Sequence, residues 1–218
     1  MFFLLIISSQ ILFAQKKEFQ GKLVYKITVR DTSLRNLIPD NQVSVYTNDT
    51  ISRTENYTAT LGKQILIRQM QMDKGYILIE TPIGNYAIKQ MPVPDSLKAS
   101  KSYTFKKKCF KKKVLGMKAN RYLVNHSAFN DEIEFLYLKK YSNKYLNNFP
   151  EIPGLLVKYS IATPDAVLDY ELIEFKPYSP DRDLFGIPSD FQKVTMDEFI
   201  DIVTGVQQQP EVENPKNN

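Results

Sequence analysis

Phe19-Gln20-Gly21-Lys22-Leu23-Val24-Tyr25-Lys26-Ile27-Thr28-Val29 is the stretch on which the fold turns. Phe19, Gly21, Leu23, Tyr25, Ile27 and Val29 fall on one face, and Gln20, Lys22, Lys26 and Thr28 fall mostly on the other. Side chains of a strand alternate with a period of two, so the pattern predicts a strand with one buried face and one wet face.

Working outward, similar runs follow at 42–46, 50–54, 64–72, 76–81 and 85–91, punctuated by Asn48-Asp49, Asp73-Lys74-Gly75 and Gly84-Asn85. Those dipeptides and tripeptides are turn chemistry, and short strands joined by tight turns predict an antiparallel meander, not βαβ crossovers. The second half repeats the style at 103–108, 121–125, 133–139, 155–161 and 167–175, with Thr163-Pro164-Asp165 as a turn. Helix signals are few. Thr195 with Glu198 forms a capping box ahead of an apolar stripe of Phe199, Ile202 and Val203, and Gly205 can close that helix. Residues 142–149 and 34–38 read as two further short helical segments. The fold class expected is therefore mainly β: a large antiparallel curved sheet or half-open barrel with two or three short covering helices.

Composition narrows the function. The chain has 218 residues with 43% hydrophobic and 24% charged, near globular averages, which argues against a disordered, collagenous or coiled-coil protein. Residues 1–15 contain an uncharged apolar core of about a dozen residues, too short to cross a bilayer, which needs about 20. With Ala14-Gln15 followed by Lys16-Lys17, this segment reads as a cleaved signal peptide. The remainder, a single β-rich domain over 16–205, is expected to be periplasmic or secreted, without a lipid anchor. Residues 206–218 are polar and read as a disordered tail. Cys109 is the lone cysteine, so no disulfide framework can form, and on a strand it is expected to pack inward.

The basic character is local. Lys106, Lys107, Lys108, Lys111, Lys112 and Lys113 lie within one run, and removing them from the net charge of +5 leaves −1. Two readings fit: lysines that protect an exposed strand edge from pairing, or a contact with anionic lipid headgroups. Nucleic acid is not expected, since no recognition module is visible.

Catalytic signatures are missing. The eight glycines are never closer than nine residues apart, which excludes a P-loop, a dinucleotide fingerprint and a nucleophile elbow. His126 is the single histidine and reads as an exposed loop residue, so a multi-histidine zinc site is excluded. Asp131, Glu132, Glu134, Glu171 and Glu174 read as surface charge, because residues 171 and 174 of one strand point to opposite faces. Neither an enzyme nor a cofactor or metal requirement is expected.

Ile152-Pro153-Gly154-Leu155-Leu156 resembles the Leu-Pro-Gly-Leu-Ile part of the signature of the GLPGLI family of exported bacterial proteins, with Pro153, Gly154 and Leu155 as its shared centre. Glu151 stands where that signature has its first Gly, and the Trp that often precedes it is absent. The order of Phe19–Tyr25, Leu115-Gly116-Met117 and the Pro-Gly-Leu segment is also similar. Leu184-Phe185-Gly186-Ile187-Pro188 looks like the closing motif of a neighbouring exported family with a lipoprotein-carrier-like fold. The resemblance implies a half-open barrel similar to the LolA/LolB carriers, with no catalytic residues to transfer. Its expected ligand is apolar, such as a lipid or an acyl chain of some fourteen carbons, held on a concave face of Leu23, Tyr25, Ile27, Phe135, Tyr137, Val157 and Tyr159. Alternation alone fits a filled core equally well. In that alternative the protein is a structural or protein-interaction subunit of the cell envelope, with a lipoprotein or another envelope protein as partner. Asp49-Thr50-Ile51 and Asp95-Ser96-Leu97 resemble an O-glycan acceptor pattern at Thr50 and Ser96, but an ordinary turn is the favoured reading of both.

Overall fold

The structure is a computed structural model that describes residues 19–35, 39–48, 50–58, 62–72, 74–90, 102–145 and 149–205. The expected leader 1–15, the tail 206–218 and Ser96 lie outside those residues. Eleven strands fall where the alternation places them. They are β1 (Gln20–Val29), β2 (Asn41–Asn48), β3 (Ile51–Thr58), β4 (Gly62–Gln69), β5 (Lys74–Thr81) and β6 (Gly84–Gln90), then β7 (Thr104–Val114), β8 (Met117–Asn125), β9 (Ile133–Leu138), β10 (Leu155–Ala162) and β11 (Val167–Pro177). A short β12 (Gln192–Val194) runs parallel to β6, and its three residues carry no alternation that would signal it.

All twelve strands form one curved, open sheet in the order β12-β6-β5-β4-β3-β2-β1-β11-β10-β9-β8-β7. Two antiparallel meanders, β1–β6 and β7–β11, are joined where β1 pairs with β11. The opening stretch of the sequence is thus the seam of the sheet. Gly21 permits it: with φ at +143° and a would-be Cβ 2.1 Å from the Lys176 carbonyl oxygen, no other residue fits there. The Phe19 ring covers the gap that the missing side chain leaves, and its centre lies 4.6 Å from that of Phe175.

The face that carries Tyr25 is the inner one. It is followed in register from Leu23 and Tyr25 through Val45 and Val43 to Thr54 and Asn56, and on to Leu66 and Gln64. On the β8–β10 side this face is covered by the segment between β9 and β10, which buries Tyr145, Phe149 and Ile152. Phe149 is the centre of that cover, with rings of Tyr103, Phe135, Phe105 and Tyr159 at 4.9, 5.2, 6.0 and 6.1 Å. The expected helix over 142–149 does not form at the described residues; Asn143 instead donates its amide to the Ile152 carbonyl at 2.8 Å and holds a looped turn.

At the other end of the sheet, α1 (Met196–Thr204) forms with the expected capping box of Thr195 and Glu198 and a left-handed Gly205. Phe199 and Ile202 pack on Tyr86, Ile88 and Val194, whereas Val203, expected on the same stripe, is 47% exposed. The third expected helix, 34–38, meets the described residues only at Leu34, which ends a 3-10 turn (Thr32–Leu34) capped by Asp31, and at Arg35; residues 36–38 lie outside them. A second 3-10 turn, Arg182–Phe185, leads Ile187 and Phe191 across the outer face onto Ile65, Ile67, Leu78 and Ala87. This half of the sheet is therefore covered on both faces. Consecutive apolar triplets at 65–67 and 77–79 are the sequence trace of that arrangement.

Gly154 enters β10 against the backbone of β9, where an added Cβ would lie 2.6 Å from the Leu138 carbonyl oxygen and 2.8 Å from the Tyr137 ring. Gly154→Ala is expected to cost about 1–3 kcal/mol of unfolding free energy as an overpacking change, read as a lower urea midpoint at unchanged m-value.

Candidate functional site

The seven residues expected on the concave face are all brought to the protein interior, with Ile27 the least buried at 9% exposed. Leu23, Phe135, Tyr137 and Val157 belong to a closed core in which Phe135 meets Phe149 and Tyr137 meets Tyr122. Burial of large side chains at roughly 1.5–3 kcal/mol each makes this half a stability element. Tyr25 and Tyr159 belong to the same core and, at its border, also touch a space of about 320 Å³ together with Tyr145, Tyr170, Val43 and Ile77. Ile27 lines neither that space nor the main core. The seven residues do not share one hollow: the aromatic plug fills the β8–β10 side, and the remaining volume sits beside β1–β5.

Sequence reasoning did not single out the polar wall of that space. Thr54, Asn56, Gln64 and Arg68 line it, from β3 and β4. By register Thr54 faces Leu66 and Asn56 faces Gln64, so a polar band crosses an otherwise apolar inner face. Strand β3 is polar on both faces, because Arg53 and Glu55 on its outer side form an ion pair at 2.7 Å beneath the Leu184 carbonyl. Alternation locates such a strand but does not mark which of its faces turns inward, which is why the site was not legible.

Tyr25 anchors the site. Its hydroxyl donates to the Leu156 carbonyl at 2.7 Å, at the point where the β9–β10 register breaks. Complete burial pushes its phenol well above the ordinary tyrosine range, so it stays a neutral donor. Burial likewise raises Tyr170, which stacks on Tyr159 at 4.7 Å.

The six lysines lie on β7, the terminal strand of the sheet. Lys106, Lys107, Lys111, Lys112 and Lys113 are exposed and Lys108 is half-buried. Among the described residues only Lys112 of these six makes an ion pair, with Glu134 at 2.5 Å. Glu134 also accepts from Arg121. Burial raises its carboxyl, but the hydrogen bonds from Lys112 and Arg121 outweigh that and hold it below the ordinary carboxylate range. Cys109 is exposed, contrary to the inward packing expected, because a bulge displaces it from the strand alternation. His126 is not a free loop residue either: it is half-buried, with its ring centre 4.4 Å from that of Tyr103, and it is hydrogen-bonded to Ser102. The signature residues Pro153, Gly154 and Leu155 form the entry to β10 and do not line the space beside Tyr25. Thr50 is exposed beside the β2–β3 turn.

Further concavities occur among the described residues. One of about 380 Å³ lies on the outer face, lined by Lys74, Lys89, Lys193, Tyr76 and Phe185. Another, of about 680 Å³, is a groove among loops near Asp31, Asp131 and Asp165. Of the remaining carboxylates, Glu174 pairs with Lys22 at 3.1 Å, and Asp169 with Arg30. Among the described residues no group of three or more His, Cys, Asp or Glu is placed to hold a metal, and no helix is long and apolar enough to cross a membrane.

No family model and no curated protein matches the chain. Among solved structures, one described as PNGF-II in a C2 space group is similar over 84% of this chain and 32% of its own, at 13% identity and a TM-score of 0.47. The chain thus spans about a third of that structure's length, and at this level of likeness neither fold nor activity carries over.

Tyr25→Phe removes the donor to the Leu156 carbonyl and is expected to lower stability by about 1–3 kcal/mol, measurable by chemical denaturation. Glu134 contributes stability that is complete above its unfolded-state pKa of about 4.3 and is lost as pH falls through its lower native value. With solvent reaching the pair, the effect is under about 1 kcal/mol. Glu134→Gln should remove that part of the acid dependence of the melting temperature while leaving the alkaline side unchanged.

Proposed function

We propose that this chain is an exported, non-enzymatic binding module that shelters an amphipathic ligand on the inner face of its sheet. The carrying observation is the composition of the space beside Tyr25: it is bordered by the half-buried Tyr170 and the buried Tyr25, Tyr145 and Tyr159, together with Thr54, Asn56, Gln64 and Arg68. The rings suit an acyl or flat apolar body, and the Arg68 guanidinium suits an anionic or carbonyl headgroup. The volume of about 320 Å³ lies at the lower end of the ligand-pocket range. A tail shorter than fourteen carbons therefore fits best, at about 0.8 kcal/mol for each buried CH₂ before ordering costs. The likeness of Ile152–Leu156 to the GLPGLI signature supports the exported setting.

The closed aromatic core around Phe149 favours a second reading, an envelope interaction subunit that needs no ligand. Organic extraction of protein purified from an exporting host, followed by mass spectrometry, separates the two. The binding module is expected to yield an amphipathic compound near one per chain, which Tyr159→Trp, by crowding the space, reduces several-fold. Absence of any bound compound, together with no uptake of a medium-chain fatty acid by the delipidated protein, would leave the interaction subunit in its place.

A further inference from the structure

Strand β7 carries an aromatic residue that the core does not use. Lys108 pairs with Arg121 and Lys112 with Ala119, so Cys109, Phe110 and Lys111 together stand opposite Asn120 alone. Such a bulge bends a strand and re-aims its side chains, and here it turns Phe110 outward to 79% exposure, the largest among the exposed large hydrophobics described. Just past the lysine run, Leu115, at 49% exposure, tips the β7–β8 hairpin. The hairpin itself is held firmly: Val114 and Met117 pack against the main core and Ala119 is fully buried. Among the described residues β7 has no strand on its other side, being the end of the sheet. Phe110 and Leu115 are thus apolar points on an anchored ribbon, surrounded by ammonium groups.

We infer that this edge is a membrane-docking surface, with Phe110 as the inserting side chain and Lys106–Lys108 and Lys111–Lys113 as contacts to anionic phospholipid headgroups. Edge protection explains the lysines but not an exposed phenylalanine among them, since an aromatic on an open edge invites pairing. A protein partner fits poorly. Protein interfaces are enriched in Arg and depleted in Lys, and β7 has six lysines and no arginine. Compact, hydrated ammonium charges on a flexible stem suit a diffuse plane of headgroups better than a shaped, bidentate contact. A basic rim around a small apolar tip is the arrangement by which peripheral segments combine electrostatic attraction with shallow insertion.

Because the chain contains no Trp, Phe110→Trp gives a single reporter at the tip. With vesicles of mixed phosphatidylcholine and phosphatidylglycerol at low salt, its emission is expected to shift to the blue and to be quenched by brominated lipid, with neither effect on phosphatidylcholine alone. Phe110→Ser should weaken co-sedimentation about ten-fold without changing the melting temperature. Each Lys→Gln change at 111 or 113 should weaken it about five-fold and flatten its salt dependence. Vesicles that sediment the Phe110→Trp variant while leaving its tryptophan emission unchanged, or equal partition of wild type and Phe110→Ser, would overturn the insertion. A failure to bind anionic vesicles at low salt, or equal binding to phosphatidylcholine alone, would overturn the surface as a whole. None of these readouts involves the space beside Tyr25, so the docking surface and the ligand proposal stand or fall separately.

Discussion

Tyr25 stands on β1, and the carbonyl that its hydroxyl serves stands on β10, two strands away across β11. In a flat sheet those strands are roughly 10 Å apart and their side chains rise perpendicular to the plane. A tyrosine can meet the backbone of its second neighbour only where the sheet curls toward it. The bond therefore expresses the curvature of the sheet, and it does so at a break in the β9–β10 ladder, where the Leu156 carbonyl needs another donor. Loss of either the break or the hydroxyl would leave a buried polar group without its partner. The seam between β1 and β11, the plug around Phe149 and the space beside Tyr25 all lie around this one contact.

From that seam the inner face develops in two directions with different chemistry. Toward β9 it is closed by rings: Phe135, Phe149 and Tyr159 meet edge to face within 5.2 to 6.3 Å. Such contacts add roughly 0.5–1.5 kcal/mol each beyond burial, and they fix a single packing. Toward β5 the same face becomes polar at β3 and β4, and the cover changes from an aromatic plug to α1 at the far edge. A closed half that supplies stability and a looser, mixed-polarity half beside it is a division that suits a binding module, in which the stable part holds the site in shape.

Much of this was legible in the residues. Alternation located β1 to β11, and Thr195, Glu198 and Gly205 located α1 and both of its ends, because capping is a local interaction between neighbours in sequence. What escaped depends on contacts between distant segments. The helix expected over 142–149 is one case: Tyr141 and Tyr145 pack against Phe19, and Phe149 against Phe135, contacts between segments far apart in the chain. Cys109 has strand parity for an inward position, but an irregular register turned it out. The concave-face residues were identifiable as buried, whereas their division into plug and pocket depends on where Phe149 lands. The polar wall of β3 and β4 was invisible because polar residues occupy both faces of β3.

Ligand space beside Tyr25, and not under Phe135, is the claim on which the functional reading stands. A crystal of the protein soaked with a medium-chain fatty acid tests it most directly. Continuous density is expected among Tyr25, Tyr145, Tyr159 and Tyr170, with the carboxylate toward Arg68 and the Phe149 plug unmoved. Density that displaces Phe149 from Phe135, or a saturating soak that leaves the Tyr25 space empty, would contradict it.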